Sequence, residues 1–344
     1  MGIRGTIANP KHKLVDYLAQ HAANKLTKSV LVVGTPQYAD QLTSLSKDLS
    51  GIQTVAAAVD TVPFGNQRNG FSWAVFDKPI QIQDRISLKS VESTDTKWSA
   101  STAALSFSAA AGSAGPGAEV SMAAANTLFS NGLSATMFDS DSTEPLAGLK
   151  FELPEKLMAV GGVRPIEPIS DWLTITSVTD NMLKTLNDTA AASYLENAEA
   201  LKNADDVDTF LVFAEINSAT GRPPQFIKII AGGGGLWSAR SRMLVLEPPA
   251  SPSVGDQLRF HLANSRKLSE PALKSLHSHY ETYEQHEGVV LETALVEEEL
   301  DQKPLVHAKK NTFWPVFGMG SERGFLVNNV KHAIPGEIME LRDQ

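Results

Sequence analysis

Near the amino terminus, stretches with the apolar spacing of a helix alternate with short apolar runs typical of strands. Apolar side chains at helical spacing cover residues 14–26, directly after Asn9-Pro10, a pair that favours a helix start. The run 29–33 predicts a buried strand, residues 38–49 a second helix and residues 52–59 a second strand. Strand, helix and strand in this order favour a parallel pair joined by a right-handed crossover.

The pattern changes after this first unit. Residues 71–76 and 80–88 are typical of two strands joined at residues 77–79, and we expect this antiparallel addition to make the sheet mixed. Residues 99–126 are mostly Ala, Ser and Gly, which offer little side-chain volume for a core and predict a mobile loop around Gly112 to Gly117. A helix over residues 118–130 is expected at the end of this small-residue stretch.

The stretch that organises the chain begins at a glycine pair in the middle of the sequence. Gly161 and Gly162 lack a Cβ, so another backbone or a ligand can come close to them. Pro165 fixes its own φ and favours an extended conformation at Arg164. We therefore predict a stiff turn that forms a hinge between two lobes and holds Arg164 towards the space they enclose.

The segment that follows this turn resembles a known family. A strand over residues 172–178, Asn181 as a turn, a strand over residues 182–186 and a helix capped by Asn187 or Asp188 are expected in immediate succession. Together with the Gly-Gly-x-Arg-Pro turn, this order resembles the junction of the FIST N and FIST C domains. FIST proteins are described as sensory or ligand-binding modules, and one eukaryotic branch follows an F-box.

The resemblance implies a division of the chain and a class of function. It implies a FIST N-like domain over residues 1–157 and a FIST C-like domain over residues 158–344, without an F-box. Near the end of FIST C domains a Phe-x-Gly segment precedes Gly-Glu-x-Gly. The corresponding residues here are 317–324, with Gly318 in the first part and a serine inserted before Glu322.

The second half of the chain contains one more stretch whose residues could bind a ligand. Residues 208–216 and 225–230 predict a hairpin. The glycine-rich run 231–237 follows, and Arg240 and Arg242 come directly after it. Backbone N–H groups and guanidinium groups of this kind could cradle an anion, whereas the alternative is a flexible connection with solvated arginines.

Composition and charge reduce the number of fold classes and function classes that the chain could belong to. The chain has 344 residues, of which 42% are hydrophobic and 20% charged, the composition of a folded protein of about two domains. With the element pattern, this predicts an α/β to α+β fold of two lobes with mixed β-sheets flanked by helices. A net charge of -9 argues against a nucleic-acid partner, and no apolar run approaches the roughly 20 residues of a membrane span.

The absence of cysteine excludes disulfides, thiolate metal sites and cysteine nucleophiles. The beginning of the sequence lacks the apolar core of a secretory signal and predicts an intracellular protein, with cytoplasm and mitochondria left open. Met1-Gly2 matches the bare pattern for N-myristoylation, for which a chance match is the better explanation.

Three functions compete at this point. The first is a sensing module that binds a small polar or anionic molecule between the lobes, without a cofactor or metal, through seven residues: Gly161, Gly162, Arg164, Arg240, Arg242, Gly318 and Glu322. The second is a subunit that recognises a protein partner. An enzyme is the weakest hypothesis, because the sequence shows no catalytic motif and no His and carboxylate pair that spacing would bring together.

Overall fold

The computed structural model divides the chain into two units. It describes residues 3–8, 10, 12–22, 26–62, 69–88, 104–110, 117–125, 133, 135–142, 144–202, 210–232, 242–282, 288–295 and 312–343. Unit 1 comprises Met1–Arg164 and Lys274–Gln344, and unit 2 comprises Pro165–Leu273. Strands and helices are numbered below in chain order.

Unit 1 contains a mixed sheet, sheet A, built around the predicted parallel pair. Its strands follow the order β20 (Thr312–Trp314), β1 (Ile3–Ala8), β4 (Gly70–Phe76), β2 (Ser29–Gly34), β3 (Gln53–Ala58) and β8 (Met137–Asp139). The pair β2–β3 is parallel, and β4 lies antiparallel to β2. Every residue of β2 and of β4 is buried, which explains why both strands are continuous apolar runs.

Two further sheets belong to unit 1. Sheet B has the order β10 (Leu157–Val163), β24 (Ile338–Asp343), β19 (Gly288–Thr293) and β21 (Phe317–Ser321). Sheet C has the order β23 (Val330–His332), β22 (Phe325–Val327), β7 (Glu119–Ala123), β6 (Ala104–Ala109), β9 (Leu146–Leu153) and β5 (Gln81–Ser87). Only the pairs β19–β21 and β6–β9 are parallel in these two sheets, as far as the described residues show.

Sheet A separates two hydrophobic cores because its side chains alternate between its faces. On one face, Val30 and Val32 pack with Leu14 and Leu18 of α1 (Leu14–Ala22) and with apolar residues of α2 (Ala39–Asp48). A short 3-10 helix, Pro36–Tyr38, precedes α2. On the other face, Leu31 and its neighbours join apolar side chains of sheets B and C in one larger core.

Unit 2 consists of an antiparallel sheet that closes on itself. Its ring of strands follows the order β18 (Gln257–Asn264), β12 (Leu173–Thr179), β13 (Met182–Leu186), β17 (Leu244–Leu246), β16 (Gln225–Gly232) and β15 (Phe210–Asn217). Pairing of β15 with β18 closes the ring. Two short strands lie beside it, β11 (Glu167–Pro168) on β18 and β14 (Thr189–Ala190) on β13.

The inner face of this ring forms the core of unit 2. Leu258 and Phe260 of β18 point inward together with Ile175, Ala214 and apolar residues of the other strands. The helix α3 (Ala191–Glu196) adds Ala191 and Ala192 to the same core. Its neighbour α4 (Glu199–Lys202) is a single turn, and α5 (Glu270–Thr282) leads the chain from unit 2 back to unit 1.

The predicted fold class is confirmed: the chain is an α+β protein with several mixed or antiparallel sheets. The predicted parallel pair, the hairpin β12–β13 and the hairpin β15–β16 are all present. None of the described helices is long and apolar enough to cross a membrane.

Three local predictions are wrong. The segments expected to form one hairpin around residues 77–79 belong to different sheets, because β5 pairs with β9 and not with β4. The helix expected over residues 118–130 is wrong at its start, where residues 119–123 form strand β7, whereas most of the loop expected around Gly112 to Gly117 lies outside the described residues. The helix after β14 begins at Ala191, and its N-cap residue Ala190 provides no side-chain cap, because the Asn187 side chain accepts the Thr174 N–H instead.

The units differ from the division that the resemblance implied. Residues 1–157 all fall in unit 1, but the expected second domain over 158–344 does not form one unit. Its last part returns to unit 1, where β19, β21 and β24 complete sheet B with β10 and β20 extends sheet A. Unit 2 is therefore an insertion between two segments of unit 1.

Candidate functional site

The carboxyl ends of two parallel strand pairs meet at one edge of unit 1. Beyond the end of β3, Thr61 forms an isolated bridge with Gly320, which lies near the end of β21. Two backbone hydrogen bonds of 2.9 and 3.3 Å hold this bridge. Because β2 runs parallel to β3 and β19 parallel to β21, four strand ends converge there. In α/β sheets this edge is the usual place for ligands.

Polar side chains from distant parts of the sequence come together at this edge. The Asp60 carboxylate accepts hydrogen bonds from the Ser321 hydroxyl at 3.1 Å and from the Glu322 N–H at 2.9 Å. Beside them, the Ala294 N–H donates to the Ser321 carbonyl at 2.9 Å. We call Asp60, Thr293, Ser321 and Glu322 the strand-end cluster.

Thr293 joins the strand-end cluster to a group of charged residues in the same unit. Its hydroxyl donates to the His332 carbonyl at 3.1 Å, and its N–H donates to the Glu337 carbonyl at 2.8 Å. The Glu337 side chain then contacts Arg164, which lies directly after β10. We call Arg164, Glu337 and His332 the unit 1 trio.

A buried carboxylate forms the centre of the unit 1 trio. Glu337 Oε1 lies 2.5 Å from Arg164 Nε and 2.8 Å from His332 Nδ1. The side chains of Glu337 and His332 are each 3% exposed, whereas that of Arg164 is 37% exposed. A buried carboxylate needs partners, and here Arg164 and His332 share one of its oxygens.

The ring of His332 is held by its neighbours in sheet C. It stacks on Phe325 with 5.0 Å between ring centroids and 11° between planes. Gly324 makes this position possible, because its φ is +77° and a Cβ at this site would overlap the His332 carbonyl oxygen. The hydrogen bond from Nδ1 to Glu337 fixes the ring in its plane.

Unit 2 contains a second group with the same three residue types. On the outer face of its ring, Glu215 Oε2 accepts hydrogen bonds from Arg259 Nε at 3.1 Å and Nη2 at 2.7 Å. His261 Nε2 lies 2.8 Å from the same oxygen. Strand pairing explains the arrangement: Glu215 lies opposite Arg259, and Arg259 and His261 are two residues apart on β18. We call these residues the unit 2 trio.

Burial and charge perturb the ionisation of the unit 2 trio. Burial is the largest influence on the His261 ring and lowers its pKa, against the opposing hydrogen bond and charge of Glu215. Burial alone would raise the pKa of the Glu215 carboxyl. Hydrogen bonds from Arg259 and His261, with their charges, outweigh it and lower that pKa. A backbone hydrogen bond with Glu167 is a smaller influence that also raises the pKa of the His261 ring.

The sequence-predicted site residues of unit 1 lie on two edges of sheet B. Gly161 and Gly162 are exposed in β10 and Arg164 follows it, whereas Gly318 and Glu322 lie in or next to β21. Strands β24 and β19 lie between these edges, which places Gly162 of β10 and Gly318 of β21 roughly 14 Å apart. The structure therefore brings Arg164 and Glu322 to the same end of the sheet but not into contact.

The glycines have structural roles that the sequence did not indicate. Gly161, with φ of +150°, lies at a bulge in the pairing of β10 with β24, and a Cβ on Gly162 would overlap the Ile338 carbonyl oxygen. Both therefore belong to a strand and not to the predicted turn. Gly318 is buried, and its N–H donates to the Ser72 hydroxyl at 2.8 Å.

The predicted anion cradle of unit 2 is only partly within the described residues. Arg242 is exposed. Arg240 and most of the glycine run before it lie outside the residues that the structure describes. The expectation for this segment therefore stays a prediction.

Sequence reasoning missed Asp60, His332 and Glu337. It also found no His and carboxylate pair, whereas the structure contains one in each unit. The five-residue separation of His332 and Glu337 was the only local signal available. Within the described ranges, no group of three or more His, Asp and Glu side chains could hold a metal ion.

Comparison with known proteins was made by family, by curated sequence and by solved structure. The chain matched no family model, no curated protein and no solved structure.

Proposed function

We propose that the protein is a small-molecule binding module of the sensory type, and that its ligand binds at the strand-end cluster of unit 1. The observation that carries this proposal is the meeting of four parallel-strand carboxyl ends through the bridge between Thr61 and Gly320. In open α/β sheets, ligands bind in the crevice outside the carboxyl ends of the strands, and the same kind of strand end is present here. The resemblance of residues 158–195 to the FIST junction supports the same class of function.

The composition of the edge favours a polar ligand over an anionic one. The strand-end cluster contributes the carboxylates of Asp60 and Glu322, and the adjoining trio adds Glu337. Arg164 is already bonded to Glu337, so its charge is largely compensated. Hydroxyl or amino groups of a ligand match carboxylate acceptors, whereas a phosphate or carboxylate would meet like charge.

A thermal-shift experiment on the full chain tests this proposal. We expect at least one molecule from a panel of neutral, cationic and anionic metabolites to raise the melting temperature with increasing concentration. A ligand at a hundred times its Kd adds about 2.7 kcal/mol of stability. Members of the panel with several hydroxyl or amino groups are expected to act, and anionic members are not.

Matched variants locate the binding. Asp60→Asn removes one of the two carboxylates of the strand-end cluster and is expected to reduce the ligand-induced shift by more than half. Asp84→Asn is the control, because Asp84 is exposed on β5 and, within the described part of the chain, its side chain accepts a hydrogen bond only from the neighbouring Arg85 N–H. A panel without any active member, or equal shifts in both variants, would disprove the proposal.

A further inference from the structure

The outer face of the unit 2 ring presents a mixed aromatic and charged surface. Side chains two apart on a strand share a face, so Arg259 and His261 point away from the core that Leu258 and Phe260 enter. We define the outer-face patch as Trp172, Glu215, Phe226, Lys228 and Arg259, with the buried His261 beneath it.

Arg259 is immobilised within this patch. Its Cζ atom lies 4.6 Å from the centroid of the Trp172 ring, a cation–π contact, and Glu215 binds it from the side. An arginine fixed in this way loses little conformational entropy when it binds another group.

One edge of the Arg259 guanidinium is available for a second acid. A guanidinium has five N–H donors on two bidentate edges. Glu215 Oε2 takes one donor from Nε and one from Nη2. Within the described residues, the Nη1–Nη2 edge donates to no protein group, and the side chain is 29% exposed. This edge has the geometry for a carboxylate in bidentate contact.

The surroundings of Arg259 fit a protein partner. Trp172 is 38% exposed beside it, and Ile230 is 50% exposed on β16. Arg259 and Lys228 outnumber the one acid of the patch, Glu215, although the whole chain carries a net charge of -9. Exposed Trp and Arg side chains with an apolar rim are typical of the residues that dominate protein interfaces. A positive patch selects an acidic segment.

We propose that the outer-face patch binds an acidic segment of a protein partner. An Asp or Glu carboxylate of the partner contacts the Nη1–Nη2 edge of Arg259, and an apolar side chain next to it packs on Trp172. This interaction lies in unit 2 and is independent of ligand binding at the strand-end cluster of unit 1.

Peptide selection on the full chain tests this assignment. A phage-displayed library of random dodecapeptides is selected against the wild-type protein, Arg259→Lys and Arg222→Lys. Lysine keeps the charge but loses the bidentate edge. Arg222 is the control, because it is an exposed arginine of the same unit whose Nε contacts the Ser218 hydroxyl. Enrichment of Asp or Glu next to an aromatic or aliphatic residue is expected for the wild type and Arg222→Lys only.

A double-mutant cycle with the selected peptide then assigns the contact. Replacing its conserved acid by the matching amide is expected to weaken binding to the wild type about tenfold or more, as measured by titration calorimetry. The same replacement is expected to change binding to Arg259→Lys less than about twofold, because the bidentate partner is already lost. Trp172→Ala is expected to weaken binding of the acidic peptide as well. Circular dichroism and melting temperature confirm that each variant is folded.

Two results would overturn the proposal. One is a selection that yields no acidic enrichment or the same enrichment for Arg259→Lys. The other is an amide peptide that loses equal affinity for the wild type and for Arg259→Lys, which would place the acid elsewhere. Competition by inorganic phosphate at a concentration below that of the peptide would also count against a protein carboxylate as the specific ligand.

Discussion

The unit 1 trio and the unit 2 trio are made of the same residue types but are built in different ways. In both, one glutamate oxygen binds an arginine and a histidine. The unit 2 trio follows directly from strand register on the outer face of a ring. The unit 1 trio is assembled from the end of β10, the strand β23 and the turn before β24, and its glutamate and histidine are almost fully buried.

This difference in construction predicts that the two trios tolerate amino-acid substitutions to different degrees. Side chains on regular strands keep their positions when one of them is changed, because the backbone ladder holds them. The unit 1 trio depends on close backbone approach at Gly324 and on a carboxylate without access to water. Substitutions in the unit 1 trio are therefore expected to lower the free energy of unfolding more than matching substitutions in the unit 2 trio.

The largest effect is expected from a methyl group at Gly324. Gly324→Ala places a Cβ against the His332 carbonyl in a left-handed conformation, and we expect the free energy of unfolding to fall by about 3–4 kcal/mol. Gly221→Ala is the matched control, because Gly221 of unit 2 has φ of +79° but nothing within 4 Å of the new atom. The free energy of unfolding of Gly221→Ala, measured in urea titrations, should fall by only about 1–2 kcal/mol. Equal losses would show that His332 does not depend on Gly324.

The next largest effect is expected when the glutamate of each trio is replaced, because Glu337 is more deeply buried than Glu215. Glu337→Gln keeps the size of the side chain but leaves the Arg164 guanidinium without its counter-charge and changes the hydrogen bond with His332, so we expect a loss of about 3 kcal/mol. Glu215→Gln is expected to lose about half as much, because Arg259 and Glu215 reach solvent more easily. Chemical denaturation of both variants at pH 7 measures the difference. A larger loss for Glu215→Gln would contradict the comparison.

The elements of the fold were predictable where the pattern was local. The run of β2, the helix α2 and the strand β3 follow one another within a short segment, and their spacing was enough to predict the parallel pair. Strands β6 and β7 were missed although Leu105 and Phe107, and Val120 and Met122, alternate with polar residues, because the surrounding run of Ala, Ser and Gly obscures this short pattern. These residues become buried only through contacts with distant segments, as Ala109 and Ala118 show in the larger core of unit 1.

The candidate site was less predictable than the fold. Arg164 was expected in a site, and the structure places it beside Glu337, a residue 173 positions further along the chain. Asp60 and Ser321 are 261 residues apart. Contacts at such separations depend on which strands become neighbours in sheets A and B, and a single sequence does not specify strand order.

A pH titration sharpens the comparison further. The pKa of His261 is lowered from its ordinary value of 6.5, so the unfolded chain takes up a proton before the folded chain does as the pH falls. Stability is therefore fully present above about pH 6.5 and decreases below it, by at most about 1.4 kcal/mol per pH unit. Urea titrations between pH 7.5 and 5 measure this slope, and His261→Asn should flatten it.

Glu215 acts in the same direction in a lower window. Its pKa is also lowered, from an ordinary value of 4.5, so its contribution to stability is present above that pH and is lost as the pH falls further. Glu215→Gln should therefore remove pH dependence below about pH 4.5. An unchanged slope in both variants would show that other groups control acid sensitivity.

The smallest effect is expected at the exposed Trp172 ring beside the unit 2 trio. Trp172→Ala removes the cation–π contact with Arg259 and part of a half-exposed apolar surface, and we expect a loss of about 1 kcal/mol. Trp172→Phe keeps a ring at the same place and should lose less than half of that. The salt bridge between Arg259 and Glu215 should persist in both variants, so the His261 titration should keep its midpoint within about 0.3 pH units, measured by NMR. A larger shift on removing the ring would mean that Trp172, and not the strand pairing of β15 with β18, positions Arg259. In that case the unit 2 trio would depend on its surroundings as strongly as the unit 1 trio does.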